Sequence, residues 1–171
     1  DVQKSYVLQK EAKLLADMGQ YPSAVDIISY AINLNHVVPF FMMRYDNLFH
    51  DWISLEYLVH LKLYILYCSM SRALCYQKLQ KWTEDYFDYC FVIQMESEIG
   101  SHYSMRGLCL GKLKKIDMAI EDLTLACRYE SAPHNYITRS TLQMDNGDYV
   151  SALNDCNKAL ELIDEDNSIQ E

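Results

Sequence analysis

Four stretches of this 171-residue chain align with the same residue types at the same offsets, and repetition of that kind constrains a fold more tightly than any single motif. They read GQYPSAVDIISYAINL (residues 19–34), QKWTEDYFDYCFVIQM (80–95), KKIDMAIEDLTLACRY (114–129) and GDYVSALNDCNKALEL (147–162). The third position of each is aromatic or Ile: Tyr21, Trp82, Ile116 and Tyr149. Three of them carry Ala three residues later, at Ala24, Ala119 and Ala152. Apolar residues follow four and seven positions beyond: Ile28 and Ala31, Tyr89 and Val92, Leu123 and Ala126, Cys156 and Ala159. Spacing of three and four is one stripe of an α-helix.

Upstream of each stretch lies a second helical pattern of similar length. In three of these an Arg precedes a small residue, at Arg72-Ala73, Arg106-Gly107 and Arg139-Ser140, among large apolar neighbours such as Leu15, Tyr76 and Leu110. Small residues there let two helices approach closely, so each unit is expected to be an antiparallel helix-turn-helix. The unit length is 34 positions from Asp85 to Ala119 and 33 from Ala119 to Ala152. A lone hairpin of this kind leaves apolar faces uncovered, and stacking neighbours hides them. Each fully buried Leu or Tyr then contributes roughly 1.5–3 kcal/mol.

RALCYQKLQKW (72–82) and NGDYVSALNDCNKALEL (146–162) carry small, aromatic and Ala residues at offsets that resemble the tetratricopeptide repeat (TPR) family. The resemblance extends over Ser5–Val38 and Leu66–Asp166, giving repeats at about 5–38, 66–99, 100–132 and 133–166 within a single domain, 1–171. It implies an all-α fold, an α-solenoid of stacked hairpins wound as a right-handed superhelix. Two departures stand out. The first repeat has Glu11-Ala12 where the others have Arg and a small residue, and the second has Asp85 in the Ala position, which predicts a splayed or locally polar pair. Residues 39–65 fit either a degenerate repeat, since Arg44 follows Ala24 by the same 20 positions as Arg139 follows Ala119, or a long helix from about Leu48 into the second repeat.

The functional classes narrow by exclusion. With 24 acidic and 15 basic residues the net charge is −9, which disfavours nucleic acid or an anionic membrane as partner. The most apolar stretch, Trp52 to Cys68, is interrupted by Glu56, His60 and Lys62, so no membrane insertion is expected. Cys68, Cys75, Cys90, Cys109, Cys127 and Cys156 form no CxxC pair and fall mostly in apolar helical stretches. They read as free, buried thiols of a reducing, cytoplasmic compartment. There is no Gly-rich phosphate loop, HExxH or GxSxG. His36, His50, His60, His102 and His134 are scattered, and Cys68 and Cys75 have no further pair of ligands to complete a zinc site. No metal, no cofactor and no catalytic activity are expected. Glu84 and Asp85 read as acids at a helix start, and the end ELIDEDNSIQE (161–171) as a frayed acidic tail.

What remains is a surface, for which fourteen Tyr supply abundant contact area. The TPR resemblance implies a concave groove lined by the first helix of each pair. Counting along those helices places Gln9 and Lys13, then Met70, Leu74 and Gln77, then Ser104, Leu108 and Lys112, then Ile137, Thr141 and Met144 in it. Met and Leu flanked by Lys suit a peptide with apolar anchors and acidic residues. Some TPR proteins grip acidic C-terminal tails of heat-shock chaperones with a Lys, Asn and Arg clamp. The matching positions here are Gln9, Lys13, Ser71, Ser101 and Met105, none with the family's residue, and the later window offers His134 and Thr138. The expected function is therefore a non-catalytic protein-interaction module or scaffold, within a larger multiprotein assembly or alone. The alternatives are a co-chaperone-type domain with a non-standard clamp and a regulatory or scaffolding segment of a larger enzyme.

Overall fold

The aromatic or Ile residue at the third position of every repeat opens a helix. In the computed structural model, which describes residues 2–35 and 55–169, Tyr21, Trp82, Ile116 and Tyr149 are the first residues of α2 (Tyr21–Asn35), α4 (Trp82–Met95), α6 (Ile116–Tyr129) and α8 (Tyr149–Ile169). Each is preceded by a partner helix: α1 (Val2–Asp17), α3 (Leu55–Lys78), α5 (Gly100–Lys112) and α7 (Pro133–Asp145). The described residues contain helices and no strand, so the chain is all-α, built of helix-turn-helix units. Arg44 and the rest of 39–54 lie outside the described residues. Residues 55–65 are the opening turns of the 24-residue α3, continuous with the second repeat.

Every hairpin turns by the same device. The first helix ends with paired backbone bonds from the second and third residues after it, as in Gly19 N to Ala16 O at 2.9 Å and Gln20 N to Leu15 O at 2.8 Å. The same pair recurs at Gln80 and Lys81, at Lys114 and Lys115, and at Gly147 and Asp148. This is a Schellman closure, and it needs a left-handed residue at its centre. That residue is Gly19 (φ 75°), Gln80 (φ 57°), Lys114 (φ 61°) and Gly147 (φ 82°) in successive repeats.

Across each of the last three hairpins an arginine of the first helix grips an aspartate of the second. Arg72 Nε and Nη2 donate to Asp88 Oδ2 and Oδ1 at 2.9 and 2.6 Å. Arg106 does the same to Asp122 at 2.7 and 2.7 Å, and Arg139 to Asp155 at 2.7 and 2.6 Å. The third nitrogen, Nη1, reaches back to the second helix of the preceding hairpin: Arg72 to Ser29 Oγ at 3.1 Å, Arg106 to Cys90 Sγ at 3.7 Å, Arg139 to Thr124 Oγ1 at 3.1 Å. One guanidinium therefore ties its own hairpin together and to its predecessor. The aspartate side chains are almost fully buried and the arginines are about four-fifths covered. For Arg106 the hydrogen bond to Asp122 outweighs burial and holds the proton well beyond the ordinary arginine range.

The chain divides into two compact units, Asp1–Asp88 and Tyr89–Glu171. In the first, Ala12 of α1, Ala24, Val25, Ile28 and Ile32 of α2, and Cys68 and Cys75 of α3 form one apolar cluster. Asp85 is fully buried, so the Ala-to-Asp departure makes this hairpin locally polar, while its arginine fork matches those of its neighbours. In the second unit α5 approaches α6 closely at two glycines: a Cβ at Gly100 would stand 2.9 Å from the Ala126 carbonyl, and one at Gly107 would stand 3.1 Å from Leu123 Cγ and 3.2 Å from the Ala119 carbonyl. All six cysteines are free; Cys90 and Cys156 are half-buried and the other four buried. The end is not a frayed tail as far as it is described. α8 continues to Ile169, because Ala159, Leu160, Leu162 and Ile163 sustain a helix whose acids point to water, and Lys158 pairs with Glu161 at 3.0 Å.

Gly107→Leu is expected to lower unfolding free energy by about 1–3 kcal/mol through overpacking, read from urea denaturation. Asp122→Ala, which strands a largely buried guanidinium, is expected to cost about 3 kcal/mol. Lys158→Ala, which breaks only the exposed pair, should leave the urea midpoint unchanged. Gly147→Ala is expected to lose about 1 kcal/mol at its left-handed turn, visible as a lower thermal midpoint with unchanged helicity.

Candidate functional site

The apolar seam between α1 and α3 does not close completely. The two helices are joined at one end by Tyr64, whose hydroxyl donates to the Ser5 carbonyl at 2.7 Å. Further along, small side chains face each other, and a cleft of about 350 Å³ opens. Its floor is Ala12, Ala16, Ile28, Cys68 and Cys75, and its rim carries Lys13, Asp17, Ser71, Leu74 and Lys78. That volume lies at the lower end of those that hold small ligands or anchor side chains.

Electrostatics separates floor from rim. Burial pushes the Cys68 thiol up, only partly offset by a hydrogen bond to Tyr64 and the charge of Arg72. Burial also pushes up the Cys75 thiol. Both therefore stay protonated at neutral pH and act as small apolar groups rather than nucleophiles. Tyr64 is likewise shifted up, first by burial. The rim, in contrast, carries charge, from Lys13, Lys78 and Asp17.

The sequence-derived groove residues are distributed unevenly. Gln9, Lys13 and Leu74 line the cleft together. Met70 and Gln77, on the same helix as Leu74, are half-buried and do not line it. In the second unit Leu108 is half-buried, Lys112, Ile137, Thr141 and Met144 are exposed, and Ser104 is buried. Ser104 therefore presents no surface, because its small side chain lets neighbouring elements close over it. Ser71 and Lys78 were not among the groove residues read from the sequence, yet both line the cleft. Lys78 lies one helical turn beyond Leu74, a spacing that a wider count along α3 reaches.

Aspartates 88, 122 and 155 were also missed. Each follows its arginine by 16 positions, and they recur at intervals of 34 and 33, so the signal was present in the sequence. Among the described residues no group of three or more His, Cys, Asp or Glu is placed to hold a metal. No described helix is long and apolar enough to cross a membrane.

No protein-family model matches the chain and no curated protein matches it in sequence. Solved structures do match. MamA (residues 41 to the end) from Desulfovibrio magneticus RS-1 aligns over 94% of this chain and 76% of its own, with TM-score 0.72 and 14% identity. A tetratricopeptide repeat protein from Parabacteroides merdae aligns over 94% of this chain and 54% of its own, with TM-score 0.70 and 14% identity. The first TPR of Spaghetti (RPAP3), bound to the HSP90 peptide SRMEEVD, aligns over 95% of both chains at TM-score 0.54 and 18% identity. The hairpin geometry, the repeat length and these likenesses together identify the fold as that of tetratricopeptide-repeat proteins.

Proposed function

We propose that the chain is a non-catalytic interaction module of a reducing, cytoplasmic compartment, and that the α1–α3 cleft is where it takes a peptide segment of a partner protein. The observation that carries this reading is the cleft itself: an apolar pit rimmed by Lys13 and Lys78. A pit of this size accepts one or two apolar anchor side chains, and two ammonium groups beside it favour carboxylates flanking the anchor. Polar Gln9 and Ser71 on the same rim supply hydrogen bonds to a peptide backbone. Leu108, Lys112, Ile137, Thr141 and Met144 offer a further partner surface in the second unit. Larger assemblies, including one in which an enzyme elsewhere uses this module as a scaffold, are compatible with such a role.

A second reading has its own support. Three of the positions that match the chaperone-tail clamp, Gln9, Lys13 and Ser71, line the same cleft, and the Spaghetti TPR is bound to an HSP90 peptide. Here the clamp's bidentate groups are absent, so a terminal carboxylate would rest on single ammonium charges and bind less selectively.

Peptide titration followed by calorimetry tests both. An acidic peptide with a Met or Leu anchor is expected to bind, and raising salt from low to physiological strength should weaken it several-fold. Lys13→Glu and Lys78→Glu should each reduce affinity about tenfold while leaving thermal stability unchanged. Amidating the peptide's C-terminus separates the readings: loss of binding favours the tail-binding mode, retention favours internal segments. A folded chain that binds none of these peptides in a salt-dependent way refutes the cleft as a peptide site.

A further inference from the structure

The space that stays open between α1 and α3 has a counterpart in the second unit, and there the protein fills it with a side chain of its own. A Cβ on Gly111 of α5 would stand 3.1 Å from Leu142 Cδ2 and 3.7 Å from Leu142 Cδ1. Both methyl groups of Leu142, on α7, thus lie against the bare backbone of α5. Repeat register carries this pair into the first unit. Gly111 lies five positions after Arg106, and Ala16 lies five after Glu11, which stands in the arginine's place. Leu142 lies three positions after Arg139, and Cys75 lies three after Arg72.

Ala16 and Cys75 both line the α1–α3 cleft. A Gly and Leu pair in one unit is therefore an Ala and Cys pair in the other. The Sγ of a cysteine ends where the side chain of a leucine branches, so the two methyl groups have no equivalent in the first unit. Close packing is the rule between helices, and the cleft of about 350 Å³ is open where that branch is missing.

The charges around the two places also differ. Leu108 and Asp145 have the registers of Lys13 and Lys78, and Lys112 has that of Asp17. The filled place is accompanied by one Lys and one Asp, which balance. The open place has two Lys and one Asp, an excess of one positive charge on its rim. An acid next to the entering side chain meets that excess.

We propose that the cleft selects a leucine of an acidic partner segment, its branched end lying between Ala16 and Cys75 as that of Leu142 lies over Gly111. This rests on the cleft being a peptide site and adds which anchor it takes. Ala16 carries a methyl group where Gly111 has none, so the gap suits one branched aliphatic chain and crowds an aromatic ring. Carboxylates flanking the leucine are held by Lys13 and Lys78.

Fluorescence anisotropy on the 171-residue chain tests this with a labelled nonapeptide that has one central Leu among Glu, Asp and Gly and a free C-terminus. Two further peptides carry Phe or Ala in the central place. The Leu peptide is expected to bind tightest, the Ala peptide at least tenfold weaker and the Phe peptide several-fold weaker. Cys75→Leu supplies the missing branch from α3 itself. It should weaken the Leu peptide at least tenfold while the thermal midpoint holds or rises, because the added group enters open space. Ala16→Leu fills the same gap from α1 and should repeat the loss, which keeps the test decisive should Cys75→Leu disturb folding. Cys75→Ala, which widens the gap, should bring the Phe peptide closer to the Leu peptide. Two results overturn the proposal and leave the peptide reading standing. One is a Phe or Ala peptide that binds as tightly as the Leu peptide. The other is a Leu peptide that Lys13→Glu weakens and the two filled variants do not, which puts the peptide on the rim with no anchor in the gap. Failure of the peptide reading looks different: none of the three peptides binds the folded, unsubstituted chain, and both conclusions fall together.

Discussion

A single guanidinium with three bonds is the constraint on which the geometry of each of the last three hairpins depends. A two-pronged Arg–Asp bond fixes both the separation and the rotation of the helices it joins, because guanidinium and carboxylate must be coplanar and close. The third nitrogen then fixes the preceding hairpin against it. Apolar contacts supply more stabilisation in total, yet they tolerate sliding, and a fork does not. Burial adds force to this, since a partly desolvated charge without its partner is far costlier than an exposed one. The first repeat shows the alternative. It has Glu11 and Ile27 at the fork positions, with Ile27 packed against the apolar cluster of its unit. There the hairpin has packing and a single-pronged bond from Lys4 Nζ to Tyr30 Oη at 3.3 Å in place of a fork, and the junction to α3 takes its orientation from Arg72, which reaches back to Ser29.

Much of this architecture was legible before any coordinates. The period, the helix starts at Tyr21, Trp82, Ile116 and Tyr149, and the close approach at Gly107 follow from spacing and side-chain size. The aspartates did not, although Asp88, Asp122 and Asp155 repeat as strictly as the arginines. Within a helix, an acid on the edge of the apolar stripe resembles any solvated residue, and its burial depends on a partner 16 positions away across a turn. Helical periodicity links neighbours three and four apart; it carries no information about an antiparallel partner. The left-handed turn was similarly half-visible. Gly19 and Gly147 announce it, but Gln80 and Lys114 adopt the same conformation without the residue that signals it.

The cleft was legible only in part for a related reason. Helix counting selects a face, and Gln9, Lys13 and Leu74, which it selects, line the cleft together. Whether that face is open depends on volume: Ala12 and Ala16 opposite Cys68 and Cys75 are too small to fill the space between their helices. At the equivalent of Gln9 in the third repeat, Ser104 is itself small and the surroundings close over it. Identical register thus yields a cavity in one repeat and a sealed surface in another. Rotation is written in the sequence pattern, whereas closure is set by sums of side-chain volumes across several helices.

In a repeat fold, residue identity alone does not separate core from contact surface, because the same position serves as either. Leu14 and Cys75 occupy one register, yet Cys75 is sealed beneath a preceding hairpin and Leu14 stands in water. The informative comparison is therefore exposure at fixed register. An apolar residue exposed where its equivalents are also exposed, as Phe87 is alongside Asp26, Glu121 and Asn154, is ordinary surface. An apolar residue exposed where its equivalents are buried is a different case, because the inner repeats show what covers that register. The cleft yields to the same comparison, since the second unit fills with Leu142 the place that Ala16 and Cys75 leave open.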